Sequence, residues 1–169
     1  MQRGLLIVNS GAVTLNNLTA SNNVVEGIHV NNSTSVNNDP VNVLATMGDT
    51  VIEANGGSGL FVISKGSITV NLVRASANNL EGIHLDNAGA LDDLHGITIT
   101  NSSAQANILM GLWVSTRGNL SISGVKSLGN GNSGGFFSNQ TGASSTISVL
   151  NSTFDGNGAL GADIWSKGN

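Results

Sequence analysis

The strongest constraint on the fold of this chain is a glycine that recurs seven times, each time followed by a short, mostly apolar stretch. The seven positions are Gly4, Gly27, Gly59, Gly82, Gly111, Gly135 and Gly161, and Gly134 would serve equally well as the sixth. Their spacings are 23, 32, 23, 29, 24 and 26 residues. A recurrence at roughly 20 to 50 residues is typical of proteins built from stacked repeats.

The spacings alternate between short and long, which makes the natural repeat a pair of coils. We therefore divide the single domain, residues 1–169, into two-coil repeats at 4–58, 59–110 and 111–160, with the start of a fourth at 161–169.

Each coil contains three short stretches in which apolar and polar residues alternate, such as Ile68-Thr69-Val70 and Val73-Arg74-Ala75. Alternation with a period of two is typical of half-buried strands. Clusters of Asn, Gly and Ser separate the stretches and favour turns. The sequence therefore predicts an all-β solenoid, a parallel β-helix of about six to seven coils with three strands each.

The chain resembles the pectate-lyase-like superfamily of right-handed β-helices, and in particular the repetitive β-helix segments of large bacterial surface and secreted proteins. The resemblance rests on units such as Gly27-Ile28-His29-Val30 and Ile68-Thr69-Val70 and on the run Asn-Leu-Thr-Ala-Ser-Asn-Asn at 17–23. It implies a right-handed solenoid and, were the chain an enzyme, activity like that of a polysaccharide lyase.

Lyases of that superfamily hold calcium with several carboxylates beside an Arg or Lys base. The nearest candidates here are Asp86, Asp92, Asp93 and His95, but the equivalents of Asp86 in neighbouring coils are Ile63 and Ser115. Ca²⁺ requires six to eight oxygen ligands from several segments. We therefore predict no catalytic residue, no metal site and no cofactor.

Function in a solenoid is best sought in columns of outward residues, because equivalent positions in successive coils are neighbours. The first strand of each coil predicts an outward ridge of apolar, aromatic and histidine side chains. Its candidate binding residues are Leu6, His29, Phe61, Ile63, His84, Trp113, Phe137 and Trp165. An exposed apolar ridge marks a contact surface. The alternative is that the longer loops of the long coils, at 31–40, 86–95 and 138–145, fold across the ridge and bury it.

Three further columns have structural interpretations. The second strands carry Thr, Ser and Asn outward, which we interpret as ordinary cross-strand pairing. The third strands place Glu53 beside Arg74 and Lys126 beside Asp155, as ion pairs that fix the register. An Asn follows the third strand of every coil, and stacked amides can form hydrogen bonds along a solenoid. These residues are Asn23, Asn55, Asn78, Asn107, Asn130 and Asn157.

The composition of the chain limits the classes of partner that it is expected to bind. The chain has no cysteine, and only 9% of its residues are charged, with a net charge of −4. A nucleic-acid partner is not expected without a basic stripe, and no apolar run is long enough to span a membrane. The function predicted is a non-catalytic extracellular or cell-surface structural module: a stalk, an adhesin segment or a filament subunit. Its partners would be flanking repeats or identical subunits stacked end to end. The alternative is a β-helix module that binds or cleaves carbohydrate.

Overall fold

The computed structural model describes residues 2–142 and 145–167, which form nineteen short β-strands. They are β1 (Leu5–Val8), β2 (Val13–Asn16), β3 (Thr19–Ser21), β4 (Ile28–Asn32), β5 (Val41–Leu44), β6 (Thr50–Glu53), β7 (Leu60–Ser64), β8 (Ile68–Asn71), β9 (Val73–Ser76), β10 (Ile83–Asn87), β11 (Ile97–Thr100), β12 (Ser103–Gln105), β13 (Leu112–Thr116), β14 (Leu120–Ser123), β15 (Lys126–Leu128), β16 (Gly135–Ser138), β17 (Ile147–Leu150), β18 (Thr153–Asp155) and β19 (Ala162–Trp165). None of these residues belongs to a helix that could cross a lipid bilayer.

Every third strand along the chain joins the same sheet, and the strand pairings are parallel. The first sheet has seven strands, ordered β1-β4-β7-β10-β13-β16-β19. The second sheet contains β2, β5, β8, β11, β14 and β17, and the third contains β3, β6, β9, β12, β15 and β18. Each full coil therefore supplies one strand to each of three sheets, which confirms the predicted all-β solenoid.

The core is a narrow channel between the three sheets, filled by one face of every strand. Alternate residues are buried, as in β7, where Leu60 and Val62 are fully buried and Phe61 faces outward. Side chains of one coil pack on their equivalents in the next: Val30 is paired with Val62, and Val62 with Leu85. Each coil thus depends on its neighbours for burial, as expected of a solenoid.

The pairing register defines the lengths of the coils. Leu112 is paired with Gly135, so the glycine aligned with Gly111 is Gly134 rather than Gly135. All three short coils then contain 23 residues, and the long coils contain 32, 29 and 27. Most of the additional residues form the connections between the first and second sheets, at 33–40, 88–96 and 139–146. Residues 143 and 144 of the last connection lie outside the described residues.

Candidate functional site

The outward column of the first sheet contains the aromatic and histidine side chains that the sequence predicts there, with one correction. Trp113 is paired with Phe136, and Phe136 with Asp163. Phe137 is fully buried, and its ring centroid lies 5.7 Å from that of Phe154. The prediction that Phe137 faces outward was therefore wrong. It followed from taking Gly135 as the sixth recurring glycine, and a shift of one residue moves a side chain to the opposite face of a strand.

Five rings of this column stack on one another along the solenoid, and we call them the ring column: His29, Phe61, His84, Trp113 and Phe136. Successive ring centroids are separated by 4.8, 4.5, 4.2 and 5.9 Å, with interplanar angles of 22° to 33°. Offset stacking at such distances contributes about 0.5–1.5 kcal/mol per pair beyond the burial of area. Because the faces of the rings are turned toward one another, mainly their edges are presented to the solvent.

The other candidate residues of the ridge lie beside the ring column or beyond its ends. Leu6 continues the column past His29 and is half exposed. Ile63 and Trp165 lie in the neighbouring outward row of the first sheet. The indole N–H of Trp165 donates to the carboxylate of Asp163 at 2.7 Å, in the last described coil. Seven of the eight predicted ridge residues therefore face outward.

Two carboxylates flank the ring column, and each approaches a histidine three residues later in the chain. Glu26 lies 3.5 Å from Nδ1 of His29, and Glu81 lies 3.8 Å from Nδ1 of His84. The sequence analysis missed both glutamates, although the repeated Glu-Gly-Ile-His unit was a visible signal. The glutamates and their ring partners are only 15% to 20% exposed.

Neighbouring polar groups lower the pKa of both carboxylates. The His84 imidazole lowers the pKa of Glu81, and burial acts in the opposite direction. The Ser58 hydroxyl, which donates to Glu81 at 2.8 Å, lowers this pKa further. Burial acts to raise the pKa of Glu26, but its own backbone N–H and the Arg3 guanidinium outweigh that effect, so the pKa is lowered. Arg3 donates to Glu26 at 2.6 Å. Both carboxylates thus have fixed partners.

The long connections pack at the edge of the first sheet and form no hydrogen bond with the ring column among the described residues. In the second of them, Arg117 of the following coil donates to Asp93 at 2.9 Å and to the carbonyl of Ala90 at 3.1 Å. In the third, the Thr141 hydroxyl donates to the carbonyl of Thr116 at 3.2 Å. The rings are half-buried chiefly because they cover one another.

A ladder of asparagines runs along the corner where the third sheet leads into the first, and we call it the Asn ladder. Its rungs are Asn23, Asn55, Asn78, Asn107, Asn130 and Asn157. The Nδ2 group of each rung donates to Oδ1 of the next at 2.8 to 3.0 Å. The same Oδ1 atoms accept the backbone N–H of the preceding rung at 3.0 to 3.1 Å. The predicted amide ladder is therefore present.

The recurring glycines and the Asn ladder are two parts of one packing arrangement. A Cβ atom on Gly59 would lie 2.7 Å from Nδ2 of Asn78 and 2.7 Å from the carbonyl oxygen of Gly82. Real Cβ atoms do not approach other atoms so closely, hence only glycine fits beside the rungs. The glycine that dominates the sequence leaves room for the buried amides.

The third sheet retains one of its two predicted ion pairs. Arg74 approaches Glu53 at 3.7 Å, although the two occupy adjacent outward columns rather than a single one. Lys126 is paired with Thr153, and Asp155 with Leu128. The prediction that Lys126 and Asp155 are direct neighbours was wrong, because the pairing of these three-residue strands is shifted by two residues from the alignment read in the sequence.

The described residues form no group of three or more acidic or histidine side chains that could hold a metal ion. Two shallow, polar grooves are present at the corners of the solenoid. One lies beside the Asn ladder between Asn22 and Asn79, and the other crosses from Asp49 to Lys126.

Comparison with protein families identifies the chain by its fold. Residues 3–169 match the family described as right-handed β-helix region. The chain therefore belongs to the right-handed β-helix family, as the resemblance noted in the sequence implied. Neither the curated proteins nor the solved structures contain a protein that matches it.

Proposed function

We propose that this chain is a non-catalytic, extracellular structural module, which acts as a rigid spacer within a surface protein. The observation that carries the proposal is that the polar and aromatic side chains suited to binding or catalysis are engaged in contacts within the solenoid. The ladder amides, the ring column and the two half-buried glutamates all have partners in adjacent coils. Groups engaged in this way hold coils together and are not free to act on a substrate.

Carbohydrate binding at the ring column is the second candidate, and the exposed ring edges beside Asn31, Asp86 and Ser115 favour it. Hydroxyl groups of a sugar would find hydrogen-bonding partners at these three residues. Stacking weighs against this candidate, because Trp113 lies between His84 and Phe136. A sugar that stacks on an aromatic side chain requires a free ring face.

Two experiments test the proposal. Antibodies against the chain, applied to intact cells of the source organism, are expected to label the surface, and the label should disappear after mild external proteolysis. Label found only after lysis would contradict the extracellular role. Prolonged incubation with pectin, alginate and neutral glycans is expected to release no oligosaccharide by mass spectrometry, and release by the purified chain would contradict the non-catalytic role.

The second candidate is tested separately on a glycan array with the Trp113→Ala variant. Binding by the wild-type chain that Trp113→Ala abolishes, while Trp165→Ala leaves it intact, would favour a sugar site at the ring column. The spacer proposal predicts no binding that depends on Trp113.

A further inference from the structure

Three rungs of the Asn ladder are followed directly by glycine, and the Asn-Gly dipeptide is chemically labile. Glycine follows only three of the asparagines in this chain, namely Asn55, Asn130 and Asn157, and all three are rungs. The backbone nitrogen of a glycine attacks the side chain of the preceding asparagine readily, because glycine has no side chain to shield that nitrogen. The most reactive asparagines of the chain therefore all lie within its buried ladder.

The reaction is a deamidation in two steps, without oxidation or reduction. The deprotonated glycine nitrogen forms a bond to Cγ of the asparagine, the bond between Cγ and Nδ2 breaks, and Nδ2 leaves as ammonia with protons taken from the solvent. Water then adds to one of the two carbonyl carbons of the five-membered imide and reopens the ring. The product is an aspartate or, where the side chain has entered the main chain, an isoaspartate.

The folded chain blocks the first step at the attacking nitrogen. The backbone N–H of Gly56 donates to the carbonyl of Asn23 at 2.8 Å, and that of Gly131 donates to the carbonyl of Asn107 at 2.9 Å. Close packing requires glycine at these positions, since a Cβ atom on Gly56 would lie 2.2 Å from the carbonyl oxygen of Val24. Neither nitrogen can reach the side chain of the rung before it without leaving the preceding coil.

The leaving group is held as firmly as the attacking nitrogen. Nδ2 of Asn130 donates to the carbonyl of Ala104 at 3.2 Å and to Oδ1 of Asn157 at 2.9 Å. Nδ2 of Asn55 likewise donates to a carbonyl of the preceding coil and to the next rung. Asn55 and Asn130 are each 1% exposed. Ring closure therefore requires that the ladder open first.

We propose that Asn55 and Asn130 are modification sites gated by the opening of the coils. Each remains an asparagine while the ladder is closed and deamidates when its coil opens. The proposal is confined to these two residues because each has a rung on either side. Where opening and closing are fast relative to the chemistry, the observed rate is the reactivity of the open dipeptide multiplied by the open fraction.

Deamidation would make the opening irreversible. The carboxylate formed from Asn130 would turn an oxygen toward the carbonyl of Ala104 and toward Oδ1 of Asn157, where Nδ2 now donates. Such a buried, unpaired charge is unfavourable. An isoaspartate would also lengthen the main chain by one carbon atom and displace the turn. The two sites would thus convert a transient opening into a permanent chemical mark. This property does not depend on the spacer role, because it requires only the ladder.

The test follows both asparagines by mass spectrometry of proteolytic peptides during incubation at mildly alkaline pH. In urea that unfolds the chain, Asn55 and Asn130 are expected to gain the mass that accompanies exchange of an amide for a carboxylate. Asn107, which is followed by Ile108, is the internal control and should stay largely unchanged. In the folded chain both conversions should be at least about tenfold slower. Equal rates in the two states, or no conversion in the unfolded chain, would overturn the proposal.

A variant tests the gating at one rung. Asn107→Ala removes a partner of Asn130 and should accelerate conversion of Asn130 without urea at least about fivefold. The matched control Asn79→Ala, which changes an exposed asparagine, should not alter that rate. An unchanged rate in Asn107→Ala, or equal acceleration in the control, would overturn the gating.

The wild-type chain in urea below its unfolding transition supplies a measurement that needs no folded variant. The backbone N–H of Asn107 donates to Oδ1 of Asn130 at 3.1 Å, so its hydrogen exchange reports the opening of that rung. The deamidation rate at Asn130 should rise in proportion to this exchange. A rate that does not follow the exchange would contradict the proposal.

Removal of the urea tests whether the mark is permanent. Chains returned to buffer before conversion should regain slow exchange at Asn107. Chains converted at Asn130, separated by ion-exchange chromatography, should not regain it. Converted chains with full protection at Asn107 would refute the claim that deamidation prevents the ladder from closing.

Discussion

Replacement of a central rung of the Asn ladder, Asn107→Ala, is expected to be among the most damaging single substitutions in this chain. The Oδ1 atom of Asn107 accepts the backbone N–H and the Nδ2 group of Asn78, both at 3.0 Å. Its Nδ2 group donates to the carbonyl of Ala75 at 3.3 Å and to Oδ1 of Asn130 at 2.9 Å. Asn107 is 1% exposed, so water cannot replace these partners without opening the corner.

Four buried hydrogen bonds, at about 1 kcal/mol each, give a loss of about 4 kcal/mol in the free energy of unfolding. The loss leaves donors of Asn78 unsatisfied, which places the substitution in the exceptional range for point mutations. Asn107→Asp should be comparably damaging at neutral pH, because a carboxylate would then face the Ala75 carbonyl and Oδ1 of Asn130. Protonation of the aspartate at acidic pH should partly relieve that damage.

The assay is urea unfolding followed by circular dichroism, with Asn79→Ala as the matched control. Asn79 is exposed, and its side chain has no hydrogen bond among the described residues, so its replacement should change stability by less than about 0.5 kcal/mol. Because solenoids can unfold in parts, hydrogen exchange at the backbone N–H of Asn78 supplies a local measurement. A loss below about 1 kcal/mol for Asn107→Ala, with unchanged exchange at Asn78, would refute the structural role of the ladder.

Three other substitutions test neighbouring parts of the account. Gly82→Ala would place a Cβ atom 2.6 Å from Nδ2 of Asn107, so the urea midpoint should fall by the equivalent of about 2 kcal/mol or more; an unchanged midpoint would contradict the packing argument. Ala77 has a φ of 54°, and Ala77→Gly should raise the thermal midpoint by relieving about 1 kcal/mol of strain, whereas a lower midpoint would speak against it. Because His84 lowers the pKa of Glu81 below its ordinary value of 4.5, the stabilisation is present above that pH and is lost as the pH falls through the folded-state pKa. Glu81→Gln should therefore reduce stability at neutral pH and flatten its decline between pH 5 and 3, measured by melting curves; an unchanged acid profile would count against a stabilising contact between Glu81 and His84.

The fold could be predicted from the sequence because the same restrictions recur in every coil. Gly59 and Gly82 occupy equivalent places in consecutive coils because equivalent rungs of the Asn ladder, Asn78 and Asn107, leave no room for a Cβ atom there. The rungs of the Asn ladder could be predicted because asparagine tolerates turn conformations and because stacked asparagine amides form hydrogen bonds with one another. Each single pattern is a weak indication of the fold, but its recurrence in six coils makes the prediction of a solenoid reliable.

The parts that the sequence did not reveal are those in which two registers are equally consistent with the pattern. Gly134 and Gly135 are adjacent, so alternation alone cannot decide whether Phe136 or Phe137 faces outward. In the third strands, a shift of two residues leaves every side chain on the same face, so alternation is consistent with either register. Only the pairing of neighbouring strands resolves these cases.

Side-chain directions in the ring column, and the paths of the long connections, also lay beyond sequence reasoning. An outward aromatic can present its face or its edge to solvent, and the difference depends on the rings above and below it. Connections of eight or nine residues without periodic apolar positions offer no indication of the surface against which they pack.

The central claim is that the chain is a rigid spacer whose length grows coil by coil. The chain has no cysteine, so spin labels at Thr14→Cys and Ser148→Cys report the distance along the second sheet by pulsed electron paramagnetic resonance. Five coil steps predict a narrow distribution near 24 Å, and insertion of a second copy of residues 59–110 after residue 110 should add two steps, or about 10 Å. A broad distribution, or a mean distance that the insertion does not change, would contradict the account.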